Sequence, residues 1–384
     1  MLSYRKLAMR VLGRPLHTGG NDSPRPASQR AAALILTAAM LTTLAVPAFA
    51  DIWYIENGDI TVKASGTEGK NKVSQGNNPE VEDTDTIITN SNKNTASSHT
   101  VTIETNGKND KVEVTLKDVN IEATGDKAAV SVTGSGNTTI KLDGDNALKS
   151  DTSRSGIYGS GSLTISGGEN DSLTAQGGSG ANGITSSGSL TISGGTVTAT
   201  GGNSTDSVGS GGRGIYSVSG DVTISGGTVN ANGGDGKNGS DGGDGISSDS
   251  LTISGGTVTT KGGSGDDGGS GVLIYSNGSL TVSGGTVTAN GGNSGGIFNG
   301  GRGISSYGGV TVSGGTVNAN GGDSEDGDGG SGIFSFDRVA ISGGTVEAAG
   351  GVGKNGSGGS GIYSSGIDLS GSLELTAKAG SPNG

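Results

Sequence analysis

Short runs in which apolar and polar residues alternate recur along most of this chain, and they recur in threes. Gly214-Ile215-Tyr216-Ser217, Leu251-Thr252-Ile253-Ser254 and Thr286-Val287-Thr288-Ala289 represent the three kinds. A period of two is that of a half-buried strand. The β-branched Val, Ile and Thr that fill these runs suit strands and disfavour helix. Gly-Gly pairs between the runs supply corners with positive φ. The phrase Ser-Leu-Thr-Ile-Ser-Gly-Gly begins at Ser162, Ser189 and Ser250, and variants begin at Asp221, Ser279, Gly309 and Arg338. Its first apolar residue falls at Leu163, Leu190, Val222, Leu251, Leu280, Val310 and Val339, in steps of 27, 32, 29, 29, 30 and 29 residues. A repeat this regular, with its slack confined to Gly, Asp, Asn and Ser loops, is the mark of a solenoid.

Three strands and three corners in about 29 residues make one coil of a β-helix. A helical repeat needs longer apolar faces, and a propeller blade needs four strands. One coil offers inward side chains such as Ile246, Leu251, Ile253, Val258 and Thr260, too few to bury a core alone. Stacking turns them into continuous columns, worth roughly 1.5–3 kcal/mol per large buried side chain. The expected fold is therefore all-β, a right-handed single-stranded parallel β-helix, with Ile215, Ile246, Ile274 and Ile304 in one column. About ten coils give a rod on the order of 50 Å long. Alternation extends back through Val112–Leu116, Val119–Ala123, Ala129–Val132 and Thr139–Leu142, and Val130 lies 27 residues before Ile157. Coils are thus expected from about residue 99 to 384. Residues 51–98, with the sole tryptophan Trp53, are read as an N-terminal cap whose indole plugs the core end.

Residues 1–50 change the compartment. Arg5, Lys6, Arg10, Arg14, Arg25 and Arg30 precede an apolar run, Ala31–Ala45, and Val46-Pro47-Ala48-Phe49-Ala50 has the small residues of a cleavage site after Ala50. This reads as a signal peptide of a secreted or cell-surface protein, with no integral membrane segment after cleavage. The chain has no Cys, so neither disulfides nor thiol chemistry are available. With 81 Gly and only 6 Pro it is not collagen-like. Removing the leader's basic excess takes the formal charge from −12 to −17, which excludes nucleic acid as a partner.

Acidic Gly-rich loops point instead to solubility or to calcium, which takes six to eight oxygens from carboxylates and exposed carbonyls. Asp235, Asp241 and Asp244 share one loop, Asp266 and Asp267 the next, and Asp323, Asp326 and Asp328 a later one. Their alternative role is that of solvated turns. Ser179, Asn203, Asp235, Ser264, Asn293 and Asp323 each follow a Gly-Gly pair, as a stacked turn ladder would require.

The residue after the inward Ile is Tyr158, Thr185, Tyr216, Ser247, Tyr275, Ser305, Phe334 and Tyr363. Alternation points it outward. Through Phe334 the aromatics fall on alternate coils, about 9.6 Å apart, close to the advance of two units in an extended β-linked glycan. Tyr158, Tyr216, Tyr275, Phe334 and Tyr363 are therefore candidate ligand-binding residues; the other reading has them covering a corner. Catalysis has little support. His99 is the only histidine beyond the leader, and Arg213 and Arg302 lie three coils apart, roughly 14 Å, too far to act on one bond.

The stretch Val112–Ala123, then Ala128-Ala129-Val130-Ser131-Val132, Thr139–Leu148 and Ser155-Gly156-Ile157-Tyr158, with the coils that follow, resembles a secreted bacterial family of carbohydrate-binding domain proteins. The resemblance covers about residues 100–375. It implies a pectate-lyase-like right-handed parallel β-helix with bound calcium and a polygalacturonate-type or other plant cell-wall ligand. No calcium motif matches residue by residue, so no site is carried over. The expected function is non-catalytic, extracellular polysaccharide binding, calcium-assisted. The alternatives are a passive adhesin-like stalk and, third, a polysaccharide lyase or glycoside hydrolase.

Overall fold

A computed structural model describes residues 51–382 apart from 152, 206–208 and 238; the expected signal peptide lies outside the described residues. The alternating runs form strands on three faces. Eleven strands, from Ile60–Ala64 to Ile362–Tyr363, stack in parallel as the first face. The second face runs through Lys111–Lys117, Asn137–Asp143, Ser162–Ser166 and Leu190–Ile192 to Val310–Val312, and the third from Asn120–Ala123 to Thr316–Asn320. Two long strands, Arg338–Ala349 and Gly366–Lys378, carry the second face into the third at the C-terminal end. The chain is a parallel β-helix of about 10 coils of about 29 residues.

Register explains the core. Leu163, Leu190, Val222, Leu251, Leu280, Val310 and Val339 are neighbours in one buried column, as the repeat spacing requires. On the first face the inward column is Val130, Ile157, Ile184, Ile215, Ile246, Val272, Ile304 and Ile333. Val272, not Ile274, stands with Ile215, Ile246 and Ile304. Ile274 is also buried, but one inward position further along, beside Ser248 and Ser306. The cause is Gly271. A Cβ there would meet Asn290 N and Gly303 O, each at 2.7 Å, so the glycine must occupy the close-packed position before the strand. The strand therefore starts one residue after Gly271 rather than three.

Gly-Gly pairs serve two purposes. In the corner between second and third faces, Gly195, Gly227, Gly256, Gly285, Gly315 and Gly344 have φ of +76° to +82°, a conformation that costs L-residues a Cβ clash. In the longer connection from third face to first, the pairs let two limbs of the loop touch. A Cβ on Gly233 would sit 1.9 Å from Gly243 O.

Residues 51–98 are not separate from the solenoid. Ile60 pairs in parallel with Val101, Thr86 with Val114 and Ile52 with Ile87. An antiparallel excursion, Ile60–Ala64, Asn71–Gln75 and Val81–Asp83, is added at this end. Trp53 packs against the core and its Nε1 donates to Asp83 Oδ2 at 2.8 Å.

Candidate functional site

On the outer side of the first face, strand residues and loop limbs enclose a groove of about 540 Å³. Arg213, Asp244, Ser270 and Arg302 stand immediately before the close-packed glycines and form its inner wall. Asp241, Asp267, Asn299 and Asp328 come from the returning loop limbs. Backbone bonds place these four in one column on successive coils. Leu273, Tyr307, Phe334 and Tyr363 close the other side. A second cleft, of about 580 Å³, continues along the same face toward the N-terminus past Thr102, Ser131, Tyr158, Thr185 and Tyr216.

The wall's charges are linked from coil to coil. Arg213 Nε donates to Asp244 Oδ2 at 3.1 Å, and Ser270 N donates to the other oxygen at 2.9 Å. Burial nevertheless pushes the Asp244 carboxyl above its ordinary value, outweighing Arg213 and the Ser270 amide. Asp267 is exposed as a residue, but its carboxyl sits in the groove. Desolvation there, then the charge of Asp241, push it above its ordinary value against the pull of Arg302. Burial lowers the Arg302 guanidinium below its ordinary value. Its Cζ lies 3.9 Å from the Phe334 ring centre, as that of Arg213 lies 4.6 Å from Tyr216.

The expected aromatic column is divided by the register. Tyr158, Tyr216, Phe334 and Tyr363 share the outward strand position, but Leu273 takes it on the intervening coil where Tyr275 was expected. Tyr275 lies two residues on, in the turn, and its hydroxyl donates back to Ser217 O. Burial pushes its phenol above the usual range. Tyr275 belongs with Tyr307 and Phe336, each three residues after the inward aliphatic of its coil. Tyr307 and Phe336 stack at 4.8 Å, Phe336 meets Phe334 edge-on at 4.9 Å, and Phe334 stacks on Tyr363 at 5.2 Å and 2°. Tyr307, Phe336 and Tyr363 are 51%, 57% and 58% exposed, so this is a surface cluster rather than buried core. The rings thus stack partly on one another instead of lying flat in a row. Tyr363 is on the last strand of its face, and Phe334 is the ring against it among the described residues. Tyr307 and Phe336 were missed because the sequence reading followed the strand position and not the turn after it.

The acidic loops form ladders. Asn203 Oδ1 accepts from Asp235 N and Asp235 Oδ1 from Ser264 N, both at 2.8 Å; Asn293 and Asp323 repeat this with Asp323 N and Val352 N at 3.0 and 2.7 Å. Asp328 Oδ1 accepts from Ser357 N at 2.8 Å, and Asp326 Oδ1 from Asn355 Nδ2 at 2.8 Å. Asp266 stays outside the groove in the next loop, whereas Asp241, Asp244 and Asp267 line the groove. Among the described residues no three Asp, Glu or His side chains converge on a point that could hold a metal ion.

Residues 190–215, 222–246, 251–271, 280–301 and 310–333 match the family model of the beta helix repeat. This is a parallel β-helix protein. No curated protein and no solved structure matches this β-helix chain. Among its described residues no helix is long and apolar enough to cross a membrane.

Proposed function

We propose that the protein is a secreted, non-catalytic polysaccharide-binding protein that holds an extended glycan along the outer side of its first face. The observation that carries this reading is the groove itself, which combines exposed rings with carboxylates and guanidiniums. Sugars need both an apolar surface for their C–H faces and ionised hydrogen-bond partners for their hydroxyls. The groove runs across coils, so its axis follows the stack and suits a chain polymer. Secretion is inferred from the leader. Pull-down on insoluble polysaccharides, paired with thermal unfolding, tests it. Replacing Tyr307, Phe336 and Tyr363 together by Ala is expected to weaken binding by roughly tenfold or more, with the fold retained because all three are exposed. Unchanged binding by this folded variant would remove the groove as the site.

One observation favours a second reading, glycoside hydrolysis. Asp241 and Asp267 stand on adjacent coils in the groove, and the raised Asp267 is suited to protonate a leaving group, with Asp241 as the second carboxyl such hydrolysis requires. Release of reducing ends from oligosaccharides, lost in Asp267→Asn, would decide for it over simple binding.

A further inference from the structure

The third face carries a regular surface that the groove on the first face does not use. From Thr196–Thr200 to Thr316–Asn320, five successive strands pair without a register shift. The second and fourth residues of each strand are buried, so the other three point outward. The first outward column is Thr196, Thr228, Thr257, Thr286 and Thr316. The second and third columns hold Thr or Asn on every coil except at Lys261. Among the described residues, no hydroxyl of the first column is hydrogen-bonded within the protein. Branching at Cβ restricts χ1, so these hydroxyls and methyls are presented in few orientations. They form a rectangular grid, about 4.8 Å between coils and about 6.6 Å between alternate residues of a strand.

Charge supplies a second, independent observation. The chain without its leader has a formal charge of −17, yet Lys261 is the one charged side chain on this grid. The same columns are charged on either side of it, at Glu122 and Lys149 before and at Glu347 after. An ionised group draws water into a shell centred on itself. A neutral row of hydroxyls and amides instead lets its first water layer take the spacing of the row. Water oxygens on the prism plane of hexagonal ice repeat at distances close to both edges of the grid. An uncharged crystal face of alternating donors and acceptors is therefore its complement in charge as well as in spacing.

We infer that the third face, between Thr196 and Asn320, binds ice. The occupant is the crystal surface itself, held through a water layer that the Thr and Asn ranks keep in register. This does not depend on the glycan reading, because the groove lies on another face.

The test is the gap between melting and freezing points of a single ice crystal in a solution of the leader-free chain, with recrystallisation followed in parallel. A measurable gap, faceted crystals and suppressed recrystallisation are expected. Thr257→Lys/Thr286→Lys places two charges at exposed positions of the first column. It should abolish the gap while thermal unfolding stays nearly unchanged. Thr252→Lys/Thr281→Lys, in the outward Thr column of the second face, should keep the gap. Lys261→Thr, which completes the grid, should widen it. No gap and no effect on recrystallisation by the unaltered chain would overturn the inference, as would equal loss in the two Lys variants or full activity in the first. Without an effect on ice, binding to microcrystalline cellulose or self-association that Thr257→Lys/Thr286→Lys removes would assign the face to a flat polysaccharide or a second copy instead.

Discussion

Between residues 101 and 150 the strands are four to seven residues long, and large aliphatic side chains such as Leu116, Ile121, Ile140 and Leu148 fill the core. Their outer surfaces are joined by ion pairs between coils: Lys117 to Asp143 at 2.7 Å and Lys149 to Glu122 at 2.8 Å, each between direct register neighbours. Between residues 184 and 335 the first- and second-face strands shrink to three residues. The third-face column that holds Leu148 becomes Ala175, Ala199 and Ala231. Cohesion there comes chiefly from backbone contact across glycines and from a column of serines, with Arg213–Asp244 a charged link between coils. Ser186, Ser217 and Ser248 each donate to a corner carbonyl, at 2.9, 2.7 and 3.0 Å. The same stack is thus held by side-chain volume and charge at one end, and by closeness of the main chain at the other.

This difference can be broken at either end. A methyl group at Gly303 would lie 2.6 Å from Asn320 N, 2.7 Å from Gly332 O and 2.9 Å from Ala289 O. Gly303→Ala is expected to destabilise the later coils by about 3 kcal/mol, the upper part of the overpacking range. In the early coils the comparable lesion is Leu148→Ala, where a cavity costs about 2–5 kcal/mol. Urea unfolding followed by hydrogen exchange would show each loss confined to its own half, as neighbour-only stacking requires. Loss spread evenly over the whole chain would contradict the division.

Acid should act on the two regions with opposite sign. In the early coils Asp171 accepts two backbone N–H bonds, and Asp118 accepts one from Asp145 as well as pairing with Lys93; both carboxyls lie below their ordinary 3.8. Asp59 is also lowered: burial pulls it up, but the Thr100 amide, Lys127 and His99 outweigh this. A lowered carboxyl stabilises the fold above its unfolded pKa, and that stability goes as pH falls through the folded value. Asp244 and Asp267 are raised, so their ionised forms weaken the native state near neutrality, and protonation relieves it as pH falls toward 3.8. Protection of the groove coils is expected to rise from pH 7 to about 4, and that of the early coils to fall below it. Asp244→Asn should flatten the first trend.

The smallest effect concerns the surface pairs. Lys117→Ala exposes no core and removes one screened contact, so it should lower the melting temperature only slightly, with the difference gone in high salt. A comparable salt response of the later coils around Ile246 would show that charge holds them too.

The period, the strand positions and the Leu163–Val339 column were legible because they depend on side-chain alternation, which letters record directly. Tyr275 was misplaced because Ile274-Tyr275-Ser276 repeats Ile215-Tyr216-Ser217 letter for letter, while the register is set by the glycine before the strand. Once Gly271 is taken as the marker, Tyr275, Tyr307 and Phe336 align. The two uses of Gly-Gly look identical in sequence, although one serves φ and the other closeness. The Asn203–Asp235 ladder was legible from spacing alone. The Arg213–Asp244 link was not, because the position before the close-packed glycine changes residue type from one coil to the next (Arg213, Asp244, Ser270, Arg302), so no letter repeats on neighbouring coils.

The side-chain-free limbs of the long loops have one more consequence. Because Gly233 and Gly243 meet main chain to main chain, whatever lies between them can lengthen or shorten without disturbing the stack beneath, as steps of 27 to 32 residues already record. Duplicating or deleting one unit within a gene therefore adds or removes a whole rung, with its share of groove floor, in correct phase. The number of rungs acts as a ruler, and the length of the groove is counted out in copies of a single genetic module.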